Sequence, residues 1–293
     1  MIEVRELVKA YGHQRAVDGL TFTAPTGQVT GFLGPNGAGK TTTLRCLLGL
    51  ASPTSGSALI DGRPYAELDD PRRQVGAVLE STGFHPARTG RDHLRVITRA
   101  ARLDADRIND LLELVGLTSA ADRRVGRYSL GMRQRLGLAA ALLGDPAVIV
   151  LDEPVNGLDP EGVAWVRQLL RSWASQGRTV LVSSHLLAEV AQVVDRVVII
   201  AGGALVHEAD VAELTSRGVL VRVDQPTAMA VALDAAGLDH VVLADGVISV
   251  ARADPAEVGA VAQRAGVTVT ELGRQSTGQT LEAMFLAATG SAR

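Results

Sequence analysis

A glycine-rich turn at residues 34–42, GPNGAGKTT, limits the possible folds of this chain more than any other feature. It follows an apolar run at residues 28–33, QVTGFL, that predicts a strand, and it precedes a predicted helix from Lys40 to about Leu50. Glycines let the backbone curl so that its N–H groups face inward around phosphate oxygens, and the helix N-terminus adds a positive partial charge. The sequence therefore predicts a phosphate-binding loop in an α/β fold. An ordinary glycine-rich turn is the alternative, and the flanking strand and helix count against it.

Two side chains at the end of this turn have the chemistry that a bound triphosphate requires. The Lys40 ammonium group would reach the β- and γ-phosphates of a nucleotide, and the Thr41 hydroxyl would ligate Mg²⁺. The predicted nucleotide contacts in the turn are Gly34, Pro35, Asn36, Gly37, Ala38, Gly39, Lys40, Thr41 and Thr42.

A second motif, VIVLDEP at residues 148–154, places two carboxylates directly after an apolar strand. The carboxyl ends of strands in open α/β sheets are where ligands bind. We expect Asp152 to hold the coordination shell of Mg²⁺ and Glu153 to act as general base on the attacking water. A capping role near the helix that starts at Pro160 is the alternative. Together with the glycine-rich turn, the motif predicts a nucleoside triphosphatase.

The rest of the pattern predicts two domains. Strands alternate with helices up to about residue 200, which indicates a parallel sheet covered on both faces, with antiparallel strands near the N-terminus. A helical subdomain is expected at about residues 85–145. From residue 219 the order becomes β-α-β-β-α-β, which is typical of a small ferredoxin-like α+β unit. We therefore expect a first domain over residues 1–216 and a second over 217–293, whose last amphipathic segment (281–288) would dock onto one of the two.

Composition excludes several classes of function. The net charge is −3 and only 3% of residues are aromatic, so neither a basic face nor stacking rings for nucleic acid are expected. Cys46 is the one cysteine, so no internal disulfide forms, and we expect it to be a buried small residue. No apolar stretch approaches the roughly 20 residues that span a bilayer. We expect a soluble protein whose association with any membrane is peripheral.

A third motif, RYSLGMRQRLGLAAALLGDP at residues 127–146, narrows the class. Ser129 and Gly131 stand at the start of a predicted helix, where a hydroxyl and free N–H groups form an anion site. The segment YSLGM resembles the signature sequence of ATP-binding-cassette (ABC) ATPases, usually written LSGGQ. A plain helix cap by Ser129 is the alternative, but it does not explain the continuation of the motif.

Other landmarks of the ABC family follow in order over roughly residues 1–215. Tyr11 matches the aromatic residue that stacks on adenine, and NGLD, which ends at Asp159, matches the loop that crosses between subunits. His185, in LVSSHLLAEV, matches the histidine that contacts the γ-phosphate. A helix cap or a surface residue is the ordinary alternative for a histidine at such a position.

The resemblance implies an ATPase that uses ATP with Mg²⁺ and works as a homodimer. Each ATP would lie between residues 34–42 of one chain and residues 129–131 of the other. The chain is most similar to ATP-binding subunits of bacterial drug and antibiotic exporters. This implies a separate transmembrane permease and a peripheral location on the cytoplasmic face of the cell membrane. Residues 217–293 contain no charged cluster and no metal-ligand spacing, so we expect them to have a regulatory or dimer-stabilising role. Nucleic acid is not an expected partner.

The chain departs from the family pattern at three positions. Leu130 and Met132 replace the usual glycine and glutamine of the signature, and Glu80 replaces a glutamine that touches Mg²⁺. We expect Glu80 to ligate the metal, with the Mg²⁺ charge offsetting the repulsion between carboxylate and triphosphate. A solvated loop residue is the alternative.

Two other functions remain possible on sequence alone. One is a soluble ABC ATPase that acts on the ribosome or on DNA, although such chains usually carry two cassettes or an inserted coiled coil. The other is a catalytically idle interaction module, which the presence of Lys40, Asp152, Glu153 and His185 makes the weaker alternative.

Overall fold

The computed structural model describes residues 1–79, 83–185, 193–211, 218–242, 246–250 and 253–274. The chain divides into two compact units, Met1–Glu208 and the residues from Ala209 onward. The domain boundary expected near residues 216–218 falls at the edge of residues 212–217, which lie outside the described part, so it stays a prediction.

The first unit is built on a six-stranded sheet with the order β5-β6-β7-β3-β8-β9. From β5 to β8 the neighbouring strands are parallel. Every residue of β3, β6 and β7 is buried, as expected for strands covered on both faces. The strands are β3 (Val29–Leu33), β5 (Val75–Val78), β6 (Val148–Asp152), β7 (Thr179–Ser184), β8 (Arg196–Ala201) and β9 (Ala204–Asp210).

The strand order determines where the site forms. Because β3 is next to β7, and β7 is next to β6, the carboxyl ends of these three strands meet at one edge of the sheet. The glycine-rich turn follows β3 and leads into helix α1 (Lys40–Leu47), whereas the two acidic residues of VIVLDEP stand at the end of β6. Two segments more than 100 residues apart in sequence are thereby brought together.

A three-stranded antiparallel sheet, with the order β2-β1-β4, forms the N-terminal part of the unit. Its strands are β1 (Ile2–Tyr11), β2 (Gln14–Ala24) and β4 (Ser55–Ile60). Phe22 of β2 stacks on Phe32 of β3 with ring centroids 5.0 Å apart, which joins this sheet to the parallel one through a shared apolar core. Pairing in the β1–β2 hairpin continues to Tyr11 and Gln14 at its tip.

The helices of the first unit include α2 (Pro71–Gln74), α3 (Gly90–Ala101), α4 (Arg107–Leu114), α5 (Leu130–Ala141) and α6 (Pro160–Ser175). The starts of α3, α5 and α6 are each capped by a side chain that accepts a hydrogen bond from the first turn. The caps are Thr89, Ser129 and Asp159. Pro160 at the first turn of α6 adds a residue that needs no hydrogen-bond acceptor there.

The second unit is a four-stranded antiparallel sheet with the order β11-β12-β10-β13 and two helices. This is the β-α-β-β-α-β arrangement of a ferredoxin-like unit, and its helices and strands enclose a separate apolar core. Its elements are β10 (Val219–Val223), α7 (Pro226–Ala235), β11 (His240–Val242), β12 (Val247–Val250), α8 (Pro255–Arg264) and β13 (Val269–Arg274). The docking segment predicted at residues 281–288 lies outside the described residues.

The predicted fold class is confirmed in both units. Among the helices that the structure describes, none is both long enough and apolar enough to cross a bilayer.

Candidate nucleotide site

The glycine-rich turn has the backbone conformation that its sequence predicts. Gly37 and Gly39 have φ angles of 81° and 101°, in the left-handed region where other residues are strained. A Cβ at Gly39 would also collide with the backbone oxygen of Ala16 in β2. Two of the glycines are therefore needed for the shape of the loop, and one of them for its contact with the neighbouring hairpin.

Lys40 is folded back across this loop. Its side chain is only 7% exposed, and its Nζ donates to the backbone oxygens of Gly34 (2.6 Å) and Pro35 (3.2 Å). The same atom lies 3.5 Å from Oε1 of Glu153. The ammonium group is thus held at the mouth of the loop, next to the acidic residues that follow β6.

Asp152 is fixed by two hydroxyl groups. Thr41 Oγ1 donates to its Oδ2 (2.7 Å), and Ser183 Oγ donates to its Oδ1. The Asp152 residue is only 6% exposed, so these bonds satisfy a buried carboxylate. A hydroxyl and a carboxylate are oxygen ligands of the kind that Mg²⁺ takes alongside phosphate and water oxygens, so the pair fits the metal that the sequence predicts.

Glu153 is the centre of a second set of contacts. Its Oε2 lies 2.8 Å from Nδ1 of His185, and its Oε1 faces Lys40. The residue has a φ of 51°, and its backbone N–H donates to Ser183 Oγ (3.0 Å), which stabilises this unusual conformation. Glu153 thus contacts both Lys40 and His185, and the three residues were predicted from three separate motifs.

Lys40, Asp152 and Glu153 border an open cleft of about 630 Å³, which is within the range of small-molecule sites. Most of the phosphate-binding loop, residues 35–42, also lines this cleft. Several lining residues were not predicted: Gln14, Arg15 and Ala16 of β2, Gln134 of α5, Asn156, and Gly202 in the β8–β9 turn.

The hairpin and the β8–β9 turn are attached to the phosphate-binding loop by backbone contacts. The Gly203 N–H donates to the Ala38 oxygen (3.1 Å), and the Asp18 N–H donates to the Gly203 oxygen (2.9 Å). A Cβ at Gly203 would crowd Ala16 at about 3.0 Å. The sequence gives little sign of this junction, because backbone–backbone contacts between distant segments leave no side-chain pattern.

Six residues that were predicted to contact the nucleotide are not among the described residues that line the cleft: Tyr11, Gly34, Ser129, Gly131, Asp159 and His185. Gly34 accepts from Lys40 through its backbone oxygen, and His185 contacts Glu153. Tyr11 is 53% exposed, with Lys9 Nζ 4.8 Å from its ring centroid. Ser129 accepts from the Met132 N–H (3.2 Å) and Asp159 from the Gly162 N–H (2.8 Å), so both act as helix caps in this structure. Gly131 follows Ser129 in the first turn of α5. Glu80 lies outside the described residues, and its role as a ligand stays a prediction.

The unusual Leu130 of the signature has a clear packing partner. At Gly157, whose φ is 74°, a Cβ would meet the end of the Leu130 side chain, which would have to move away. A Cβ at Gly131, in the first turn of α5, would likewise lie 3.3 Å from Leu158 in the loop after β6. The start of α5 and the loop after β6 therefore pack closely against each other within one chain.

A phosphate-binding loop between β3 and α1, facing a buried aspartate and an adjacent glutamate across a parallel sheet, defines a P-loop nucleoside triphosphatase. The sequence profile of the ABC transporter family matches residues 17–156, and residues 216–282 match a family described as a domain of unknown function (DUF8746).

Relatives identify the family. The chain is 42% identical over 220 residues to the bacitracin transport ATP-binding protein BcrA of Bacillus licheniformis, covering 74% of this chain and 72% of that protein. It is 37% identical over 210 residues to the lantibiotic transport ATP-binding protein SrtF of Streptococcus pyogenes, covering 72% and 91%. A solved structure described as the ATP binding subunit of an ABC transporter matches with a TM-score of 0.67 and 28% identity, over 74% of this chain and 92% of that one. The chain belongs to the ABC transporter family, in which it is an ATP-binding subunit and an ATPase, as the sequence predicts.

Proposed function

We propose that this chain powers a membrane exporter of antibiotics or similar compounds, whose membrane-spanning part is a separate permease. The proposal is supported by two relatives whose names place them in bacitracin and lantibiotic transport. It puts the chain at the cytoplasmic face of the cell membrane, held there peripherally through the permease. A soluble ABC ATPase acting on the ribosome or DNA is not favoured, because these relatives are transport proteins.

In the proposed reaction, the P-loop N–H groups and Lys40 bind the terminal phosphates of ATP, and His185 binds the γ-phosphate. Asp152 and Thr41 would hold Mg²⁺, which when bound neutralises charge on the β- and γ-phosphate oxygens. Glu153 takes a proton from the attacking water as general base. The Glu153 carboxylate lies between Lys40 and His185. Because the γ-phosphate would bind the same two side chains, the general base stays close to the reacting phosphorus.

We also propose that two copies of the chain form each complete site. The observation that carries this is the position of Ser129 and Gly131, which start a capped helix and, unlike Leu130 between them, do not line the cleft of their own chain. Ser129 is exposed, so its hydroxyl and the N-terminus of α5 can face the triphosphate bound by a second copy. The bound nucleotide would then join two anion-binding surfaces, and hydrolysis would release them.

A mixing experiment tests the two-chain site. The Lys40→Ala and Ser129→Arg variants should each lose ATPase activity, because each homodimer has two damaged sites. In a mixture, each heterodimer carries both changes at one site and leaves the other intact, so activity should recover to about a quarter of the parent's. Both variants should unfold at temperatures close to that of the parent chain. A mixture that stays as inactive as its components shows that the two half-sites do not come from separate chains.

The transport function needs a test in cells. Deletion of the gene from its host should increase sensitivity to a peptide antibiotic of the bacitracin or lantibiotic type, and expression of the parent chain should restore resistance. The Glu153→Gln variant should not restore it, because it retains the nucleotide-binding loop but lacks the base. Restoration by Glu153→Gln would mean that resistance does not depend on hydrolysis by this chain.

A further inference from the structure

Arg15 is a positively charged residue of the cleft that neither the sequence motifs nor the proposed reaction uses. It stands on β2, and it lines the cleft with its neighbours Gln14 and Ala16. Among the described residues that line the cleft, the only other cationic side chain is Lys40, which is buried against the phosphate-binding loop and Glu153. Arg15, in contrast, has a side chain that is 64% exposed.

The position of Arg15 along the cleft follows from its neighbours in β2. The Ala16 oxygen touches Gly39, the residue at the end of the phosphate-binding loop where α1 begins. Glu153 lies instead beside Lys40 Nζ and His185, which would face the γ-phosphate. With the γ-phosphate there, a nucleotide that extends along the loop towards Gly39 and Ala16 places the phosphate attached to the ribose on the side of the hairpin.

The present partner of Arg15 is weakly bound. Its Nη1 lies 2.6 Å from Oδ1 of Asp18, whose side chain is 47% exposed. Exposed ion pairs contribute little to stability, because water screens them and both side chains lose freedom. A phosphate group offers the guanidinium a stronger, bidentate partner, so Arg15 can exchange Asp18 for phosphate with little loss.

We propose that Arg15 binds the α-phosphate of the nucleotide and that Asp18 competes with this phosphate for the guanidinium group. The inference rests on nucleotide binding by the chain and is independent of which compound the permease carries. Arg15 would add affinity for every nucleotide that has an α-phosphate, whereas Lys40 and His185 distinguish nucleotides by their terminal phosphates.

Nucleotide titrations of the full chain test the proposal. Affinities for ATP, ADP, AMP and adenosine are measured with parent and Arg15→Ala protein, using competition against a fluorescent ADP for weak ligands. Loss of one charge-assisted contact should weaken ATP, ADP and AMP alike, each by about tenfold, and leave adenosine unchanged. The matched control is Arg5→Ala, which removes an arginine of similar exposure from a pair with Glu3 in β1. This control should bind all four ligands like the parent.

Three results would overturn the assignment. Equal affinities of Arg15→Ala and Arg5→Ala for AMP and ADP would show that Arg15 does not bind phosphate. A loss that extends to adenosine would place Arg15 at the ribose or base, and a loss confined to ATP would place it at the γ-phosphate. Because Arg15 is exposed, unfolding temperatures of all variants should match that of the parent.

The Asp18→Asn variant gives an effect of opposite sign. It retains the size of the side chain and the backbone bond to Gly203, but it removes the charge that competes for Arg15. AMP and ADP should bind about two- to fivefold more tightly, and this gain should disappear in the Arg15→Ala background. Unchanged or weaker binding by Asp18→Asn contradicts the competition. A Lys40→Ala control distinguishes failure of the Arg15 assignment from failure of the proposed nucleotide site. If Lys40→Ala also has no effect on ATP affinity, the assignment of the nucleotide site itself is wrong.

Discussion

At the scale of single residues, Ser183 organises the two acidic groups of the site. Its hydroxyl donates to Asp152 and accepts from the backbone N–H of Glu153, and the residue is completely buried at the end of β7. One hydroxyl thus fixes the predicted metal ligand and the conformation of the predicted base. Ser183 does not need to touch the nucleotide to affect hydrolysis, so we regard it as a positioning residue.

The Ser183→Ala variant should lower turnover by about ten- to a hundredfold. The buried Asp152 carboxylate loses a hydrogen-bond donor, and the backbone N–H of Glu153 loses the Ser183 hydroxyl as acceptor. Half-maximal activation should also require more Mg²⁺, because Asp152 is less firmly oriented. Steady-state kinetics over a Mg²⁺ titration measure both effects. The control is Thr98→Val, which removes a buried hydroxyl from α3, away from the site. If both variants lose stability but share the parent's Mg²⁺ dependence, Ser183 has only a structural role.

The sequence predicts Lys40, Asp152, Glu153 and His185 because each follows an apolar strand and has side-chain chemistry suited to phosphate or metal. Ser183 also stands near a strand end but is not predicted, because a serine there is as common in structural as in functional positions. Arg15 is not predicted for another reason. The relation of Arg15 to the cleft depends on a hairpin that reaches the phosphate-binding loop only in three dimensions.

At the scale of elements, the contact between α5 and the loop after β6 accounts for one departure from the family signature. Leu130 covers the Cα of Gly157, while Leu158 lies over Gly131. A larger residue in the helix is therefore matched by a residue without a side chain in the loop. We infer that the two positions constrain each other.

A double-mutant cycle measures this coupling. Gly157→Ala should destabilise the chain by about 2–3 kcal/mol, since a Cβ both collides with Leu130 and is strained at positive φ. Leu130→Ala should cost less, because Leu130 is 44% exposed. In the double variant the collision is removed, but the backbone strain of an alanine at position 157 remains. Its free energy of unfolding should therefore be about 1 kcal/mol higher than the sum of the two single effects predicts. Strict additivity in denaturant unfolding would mean that the two residues do not interact.

The elements themselves are mostly predictable, and the exceptions have physical causes. Buried parallel strands such as Val148–Asp152 are continuous apolar runs bounded by turn residues, so their pattern is clear. β9 (Ala204–Asp210) is not predicted, because an edge strand without buried residues has no apolar pattern. The outer part of the β1–β2 hairpin is difficult to predict for the same reason. Its charged and polar residues pair through the backbone, which leaves no trace in side-chain hydropathy.

At the scale of the whole molecule, the chain contains two units with separate apolar cores. One core joins the antiparallel and parallel sheets around the nucleotide site, and the other fills the space between the four-stranded sheet and its two helices. The described residues that line the nucleotide cleft all belong to the first unit. We propose that residues 217–293 regulate or stabilise the dimer and take no direct part in binding ATP.

Truncation tests this division of labour, provided that the cut spares β9. A chain that ends at residue 217 retains Glu208, which pairs with Arg196 at 2.9 Å and extends the sheet edge next to buried β8. It should bind ATP with the parent's affinity, because no residue of the cleft is removed. A chain that ends at Gly203 lacks β9 as well and should unfold several degrees lower, since the edge of β8 loses its backbone partner.

When Glu153→Gln is added to the chain that ends at residue 217, ATP should still produce dimers, but only at higher protein concentration than in the full-length variant. Dimers that form equally well with and without residues 218–293 would remove the proposed role in dimer stability, whereas loss of ATP binding by the longer truncation would show that the second unit supports the nucleotide site.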